Sequence, residues 1–325
     1  LIPVTVIGGY LGSGKTTLLN ALLRGAHGLR LAVLVNDFGS VNIDAELIAA
    51  HEGDTISLAN GCICCSLRDN LGAAFYALAA RPDPPDHVII EASGVADPQR
   101  IAHYAQAIPG LRLDGIIVLA DAELVRRQAR DKYVGDTVLR QLQAADLIVL
   151  SKIDLVTPEA VADVRAWLAE HAPGAPIIEA VAGHLPLAYT LGRDPASDAA
   201  ILAQPPAAGP AFPDEHGHDH DLHDLIFDQV TFATDIPCVR SALTAAIAAL
   251  PSAVVRAKGV VSLADAPEHR FILQLVGRRW TLQQDAPWGD EPPSTRLVLI
   301  APHGQVDAGV LQTELGKVFE AGCRP

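Results

Sequence analysis

The chain has 325 residues, half of them hydrophobic, and a formal net charge of −14. That length supports one large or two unequal domains, while the acidic balance argues against broad nucleic-acid contact. No apolar run reaches bilayer length and no basic leader precedes a signal-like core, so a cytoplasmic protein without a membrane partner is expected.

The first predicted element is a strand, Ile2 to Ile7, which runs into GGYLGSGKTT at Gly8 to Thr17 and then into an apolar helix, Leu18 to Leu23. Gly9 through Gly14, Lys15 and Thr16 carry the full P-loop spacing. Strand, glycine-rich loop and helix wrap successive amides from Gly9 to Thr17, those of Gly12, Ser13 and Gly14 among them, around a polyphosphate. Side chains at Gly12 or Gly14 would obstruct the turn or the phosphate. In this pattern Lys15 reaches the β and γ phosphates and the Thr16 hydroxyl coordinates magnesium.

A second strand, Ala32 to Val35, delivers the turn Asn36 to Gly39. Asp37 at a strand end could face magnesium, a water or a second metal, or simply close an Asx-type turn. Asp44 and Glu46, continuing toward His51, read as surface residues or parts of a mobile segment. A short strand at Thr55 to Leu58 leads through Asn60 and Gly61 to Cys62, Cys64 and Cys65. Three thiols in four positions can converge on zinc or another thiophilic ion, with Asp37, a histidine, water or a partner's side chain completing the set. Ser66 and Asp69 form a capping box for a helix to about Ala80, and a helix entrance favours thiolate. A redox centre and inert packing are the rival readings, but three donors exceed what a dithiol switch needs. Five cysteines in all are too few and too uneven for a secreted disulfide framework.

Three prolines between Arg81 and Asp86 precede a strand, His87 to Ile90, with Glu91 at its end. Glu91 could reach magnesium through water and the Gly94 amide could sense a γ phosphate, unless the segment is an ordinary strand-to-helix turn. Ile116 to Leu119 is the next strand and ends near Asp121, which could support the phosphate side of the fold but reads better as a turn residue. A solvated polar interval, Glu123 to Asp136, leads into a helix ending around Ala145. Strand Asp146 to Leu150 carries Ser151, Lys152, Ile153 and Asp154 at its end. Asp154 could accept from the ring N–H and exocyclic amine of guanine, and the Lys152 stem could cover the base. A helix, Pro158 to Glu170, and a strand, Pro176 to Ala180, complete the alternation. A doubly wound, mainly parallel α/β domain over 1–190 follows.

Residues 191–225 form an alanine- and proline-rich linker that closes with DEHGHDHDLHD. His216, His218, His220 and His223 could capture or relay zinc, cobalt or nickel, or belong to a pH-sensitive solvated linker. A smaller α+β domain is expected over 226–325. Its predicted parts are a strand from Phe227 to Phe232, a helix from Pro237 to Leu250, and strands Val254 to Leu263, Phe271 to Val276 and Leu297 to Ile300. A helix from Asp307 to Phe319 closes it. Cys238 and Cys323 read as packing or incidentally exposed residues, and Trp167, Trp280 and Trp288 as core or interface packing.

Taken together, GGYLGSGKTT, NDFG at Asn36 to Gly39, GCICC at Gly61 to Cys65, EASGVADP at Glu91 to Pro98 and SKID at Ser151 to Asp154 resemble the CobW family of P-loop GTPases and metal chaperones. The resemblance implies a P-loop NTPase fold with a C-terminal α+β domain, and GTP hydrolysis with magnesium. It also implies zinc or cobalt delivered to a metalloenzyme or metal-insertion client, with self-association left open. By the same resemblance Lys15 and Thr16 bind phosphate and magnesium, and Asp37 and Glu91 lie on the magnesium or metal side. Cys62, Cys64 and Cys65 hold the transferred metal, and Lys152 and Asp154 recognise guanine. Asp37 stands where glutamate is common, and Ser151 replaces the usual asparagine of the base motif. A nucleotide-gated metal sensor or store that transfers no cargo, and a thiol redox protein, are the alternatives.

Overall fold

A computed structural model describes residues 1–25, 29–35, 75, 76, 78, 80–181, 183–185, 187–191, 227–289 and 291–321. The strand predicted at Thr55 to Leu58 and the capping box of Ser66 and Asp69 lie outside them. The chain divides into two compact units, Leu1–Leu191 and Gly192–Pro325.

In the first unit the apolar runs become strands. These are β1 (Ile2–Gly9), β2 (Leu31–Val35), β3 (His87–Glu91), β4 (Leu111–Asp121), β5 (Leu147–Ser151) and β6 (Ile177–Ala180). Between them lie α1 (Lys15–Gly25), α2 (Pro98–Ala107), α3 (Val125–Ala129), α4 (Gly135–Ala144) and α5 (Pro158–His171), with a short α6 (Leu187–Thr190) after β6. The strands form one parallel sheet in the order β2-β3-β1-β4-β5-β6. Parallel strands need helical crossovers that cover both faces, which is why β3 and β5 are buried at every position. Val4, Val6, Leu34, Ile90, Val118 and Ile148 meet in the resulting core.

Two predicted boundaries shift for identifiable reasons. β4 starts at Leu111 and not at Ile116, pairing Ile2 with Leu111 and Gly9 with Leu119. Arg112 and Asp114 interrupt the apolar run, yet they neutralise each other across 3.3 Å on one face of the strand. The interval expected to be merely polar contains α3, whose Val125 packs into the core. Asp121 Oδ1 accepts from the amides of Glu123 and Leu124, turning the chain toward that helix.

The second unit is an antiparallel sheet in the order β10-β9-β8-β11-β7, built from β7 (Phe227–Thr234), β8 (Arg256–Ser262), β9 (His269–Val276), β10 (Arg279–Pro287) and β11 (Thr295–Pro302). Helices α7 (Arg240–Ala248) and α8 (Ala308–Ala321) complete it. Alternate residues such as Phe232, Leu273, Leu275 and Leu299 meet Leu243, Leu315 and Phe319 in a separate core. β10 falls outside the strands expected from the sequence: only Trp280 and Leu282 of RWTLQQDAP lean on the core, and the segment is ordered as an edge strand paired to β9, from Arg279 opposite Val276 onward. α7 begins at Arg240 and not at Pro237, because the Cys238 amide donates to the Ser262 carbonyl and its own carbonyl accepts from Ala264. Cys238 is buried there, and Trp167 stacks on His171 at 4.1 Å, so both serve packing. No helix among the described residues is long and apolar enough to cross a membrane.

Candidate nucleotide and metal site

β1 has β3 on one side and β4 on the other, so the chain order reverses about it. In an open parallel sheet that reversal leaves a crevice beyond the carboxyl ends of the strands. The predicted nucleotide motifs fall at those ends. β1 runs into the loop of Gly9 to Gly14, Glu91 closes β3, Asp121 closes β4, and Ser151 closes β5.

The loop is held by its own backbone. Gly9, Gly12 and Gly14 take φ of 134°, 77° and 97°, and the Ser13 amide donates to the Tyr10 carbonyl at 3.1 Å. Gly9 also lies tight on β4, where a Cβ would sit 2.6 Å from the Leu119 carbonyl oxygen, so a side chain is excluded twice over. The first helical bond of α1 runs from the Leu18 amide to the Gly14 carbonyl. The amides before Leu18, including that of exposed Thr17, therefore belong to a helix N-terminus that opens on the loop. Buried Lys15 lies back across the loop, its Nζ donating to the carbonyls of Gly9 at 3.0 Å and Tyr10 at 3.4 Å.

Thr16 and Glu91, 75 positions apart in sequence, come together: Thr16 Oγ1 donates to Glu91 Oε1 at 3.0 Å. Glu91 is only 3% exposed. A hydroxyl and a buried carboxylate beside a phosphate-binding loop are the hard oxygen donors that magnesium prefers, so these residues fit that ion. Past Glu91, the Gly94 backbone rests on the P-loop, where a Cβ would fall 2.5 Å from Leu11 Cδ2 and 2.9 Å from the Leu11 nitrogen.

The base motif is joined to the same loop. Ser151 Oγ donates to the Ser13 carbonyl at 2.8 Å and lies 3.2 Å from that of Ala120. Lys152 adopts a left-handed backbone, φ 58°, and its Nζ meets Asp121 Oδ2 at 2.7 Å. Asp154 is exposed on a 3-10 turn, Ile153–Leu155. After β6, Gly183 approaches the first turn of α1, where a Cβ would stand 2.9 Å from Leu18 N.

Thus Gly9, Gly12, Ser13, Gly14, Lys15, Thr16, Thr17, Glu91 and Gly94 gather around one loop, with Lys152 and Asp154 beyond the neighbouring strand. Asp37, Cys62, Cys64 and Cys65 lie outside the described residues, as do His216, His218, His220 and His223. Among the described residues, no three His, Cys, Asp or Glu side chains cluster as a metal site. Sequence reasoning passed over Gln141 on α4, whose side-chain nitrogen donates to the carbonyls of Gly94 and Ala96. Its only sequence signal was an amide on the apolar side of a helix. It also overlooked the Ser151 tether and the Gly183 approach, which span 138 and some 165 residues of chain respectively and have no local signature.

The nucleotide-binding domain of the CobW/HypB/UreG family matches residues 3–179, and the C-terminal domain of the cobalamin synthesis protein cobW matches residues 227–318. The chain is 34% identical to the zinc chaperone CobW of Pseudomonas aeruginosa, across 97% of this chain and 90% of that one. It is 32% identical to the zinc chaperone CobW of a Sinorhizobium species, across 95% of each chain. It is also 30% identical to the zinc chaperone YjiA of Escherichia coli K12, across 92% of this chain and 93% of that one. A P-loop opening a reversed parallel sheet, followed by a separate C-terminal unit with its own matching domain, places this chain in the CobW/HypB-like family of P-loop GTPases and metal chaperones.

Proposed function

We propose that the protein is a metal-regulated GTPase that couples nucleotide state to delivery of zinc or cobalt to a client protein. The observation that carries the nucleotide half is the 3.0 Å bond between Thr16 and Glu91, which joins the P-loop to the end of the neighbouring strand. The metal half rests on GCICC at Gly61 to Cys65 and on the relatives named as zinc chaperones, which favour zinc.

In this reading the loop amides and Lys15 hold the phosphates, and Lys152 and Asp154 select guanine. Thr16 and Glu91, the latter through water, are the residues that would hold magnesium, which supplies charge neutralisation on the phosphate oxygens. Water forms a bond to the γ-phosphorus while the bond from that phosphorus to the bridging oxygen breaks. The electron pair stays on GDP and the proton passes to the released phosphate. Asp37 and Glu91 are the carboxylates available to orient the water. Cys62, Cys64 and Cys65 take the cargo ion as thiolates, with His216, His218, His220 and His223 as a capture segment.

The test uses metal-stripped protein under reducing conditions, with GTP and ATP binding measured while zinc and cobalt are titrated separately. GTP selectivity that responds to metal, and loses that response when Cys62, Cys64 and Cys65 become serine, is the expected result. Lys15→Ala lowers GTP turnover at least about 100-fold. Tight GTP binding with no thiol-dependent metal effect would sink the delivery mechanism. GTP-dependent metal affinity without transfer to any client would leave a sensor or store.

A further inference from the structure

The loop between β3 and α2 is held from a direction that the P-loop motif does not account for. Gln141 is 2% exposed on α4, a helix packed against β1, β4, α2 and α5. Its Nε2 lies 3.1 Å from the Gly94 carbonyl and 2.8 Å from that of Ala96. Both partners are acceptors, so only the amino end of the side chain can face them, and its two hydrogens are both committed. Two peptide planes are thereby pinned, those of Gly94–Val95 and Ala96–Asp97. Between them the Ala96 amide closes a turn onto the Ser93 carbonyl at 2.9 Å, and below them Gly94 rests on Leu11. Exposed Val95 is the one residue of the turn facing away. Gln141 also lines a small cavity of about 10 Å³ with Tyr10 and Ser13, which sets it directly behind the P-loop.

We infer that Gln141 is a positioning residue that pre-orders the Gly94 loop from α4 and so gives the site its preference for nucleotides bearing a γ phosphate. This rests on the function proposed above together with the sequence expectation that the Gly94 amide senses the γ phosphate. A loop already fixed by two hydrogen bonds loses little freedom when the phosphate arrives, whereas a released loop must be ordered at the expense of binding. GDP offers the loop no γ phosphate, so the gain is confined to GTP. That confinement separates a positioning role from a general contribution to the fold.

The test compares GTPγS and GDP affinities of the full chain and of Gln141→Met, which keeps length and volume but has no donor. Hydrogen exchange over 92–97 is followed without nucleotide. GTPγS affinity is expected to fall about tenfold, with GDP affinity within about twofold and faster exchange confined to the loop. Equal losses for both nucleotides, or an unchanged ratio, would overturn the inference. If Gln141→Met does not fold, Gln141→Glu replaces it. Its carboxylate repels both carbonyls while its protonated form restores one donor, so the GTPγS-to-GDP ratio should recover as pH is lowered, and a pH-independent ratio equal to the parent's would overturn the inference. A parent protein with no preference for GTPγS over GDP overturns the inference alone, whereas a parent that binds neither guanine nucleotide overturns the functional reading itself. Both outcomes are seen before any variant is made.

Discussion

Ser151 shows how one side chain changes meaning between sequence and structure. Next to the asparagine usual in the base motif, serine reads as a weakened guanine site. In the fold its hydroxyl reaches the Ser13 carbonyl across 138 positions, tying the end of β5 to the P-loop. Ser151→Ala leaves that buried carbonyl short of a donor, and a loss of about 1–2 kcal/mol in stability is expected. Because the tether would act, in the proposed site, beneath the phosphates that both nucleotides share, GDP and GTP affinities should fall together. Urea unfolding and calorimetric titration check the two halves, and this parallel fall is the opposite of the split expected for Gln141. Asp121 likewise reads as a turn residue and is one, through Glu123 and Leu124, but its other oxygen meets Lys152 and so links the turn to the base motif.

Among the elements, α5 was the most legible. Pro158 and the periodic apolar residues after it announce a helix, and the structure adds its cap: Thr157 Oγ1 accepts from the Ala160 amide at 3.3 Å. Thr157→Ala should cost about 1 kcal/mol by thermal unfolding. Glu159 in the first turn has its carboxyl held below the usual carboxylate value, chiefly by its own backbone amide and then by the Thr157 side chain. A carboxyl so lowered contributes fully above the unfolded carboxylate pKa, and the contribution is lost as pH falls through the folded value. The gap between parent and Thr157→Ala should therefore narrow below the ordinary carboxylate range, as unfolding curves between neutral pH and pH 3 would record. β10 stands at the other extreme: its apolar alternation stops at Trp280 and Leu282, too short to read in the sequence, and its length is ordered by pairing with β9.

For the whole molecule, two separate cores lie in two units. Leu273, 1% exposed, belongs to the second. Leu273→Ala should destabilise that unit by about 2–5 kcal/mol while GDP affinity at the first unit stays within about twofold, as paired calorimetry and nucleotide titration would show. The sequence alone determined the features that are local in chemistry: the glycine-rich loop, the strand-end carboxylates Glu91 and Asp121, the alternation of strand and helix, and the family. Buried parallel strands are continuous apolar runs and a P-loop is a contiguous motif, so both survive in one dimension. Only the tertiary structure decided which strand ends become neighbours. It brought Thr16 to Glu91, Ser151 to Ser13 and Gln141 to Gly94, because a hydrogen bond depends on a few ångströms in space and is indifferent to the dozens of residues between its partners.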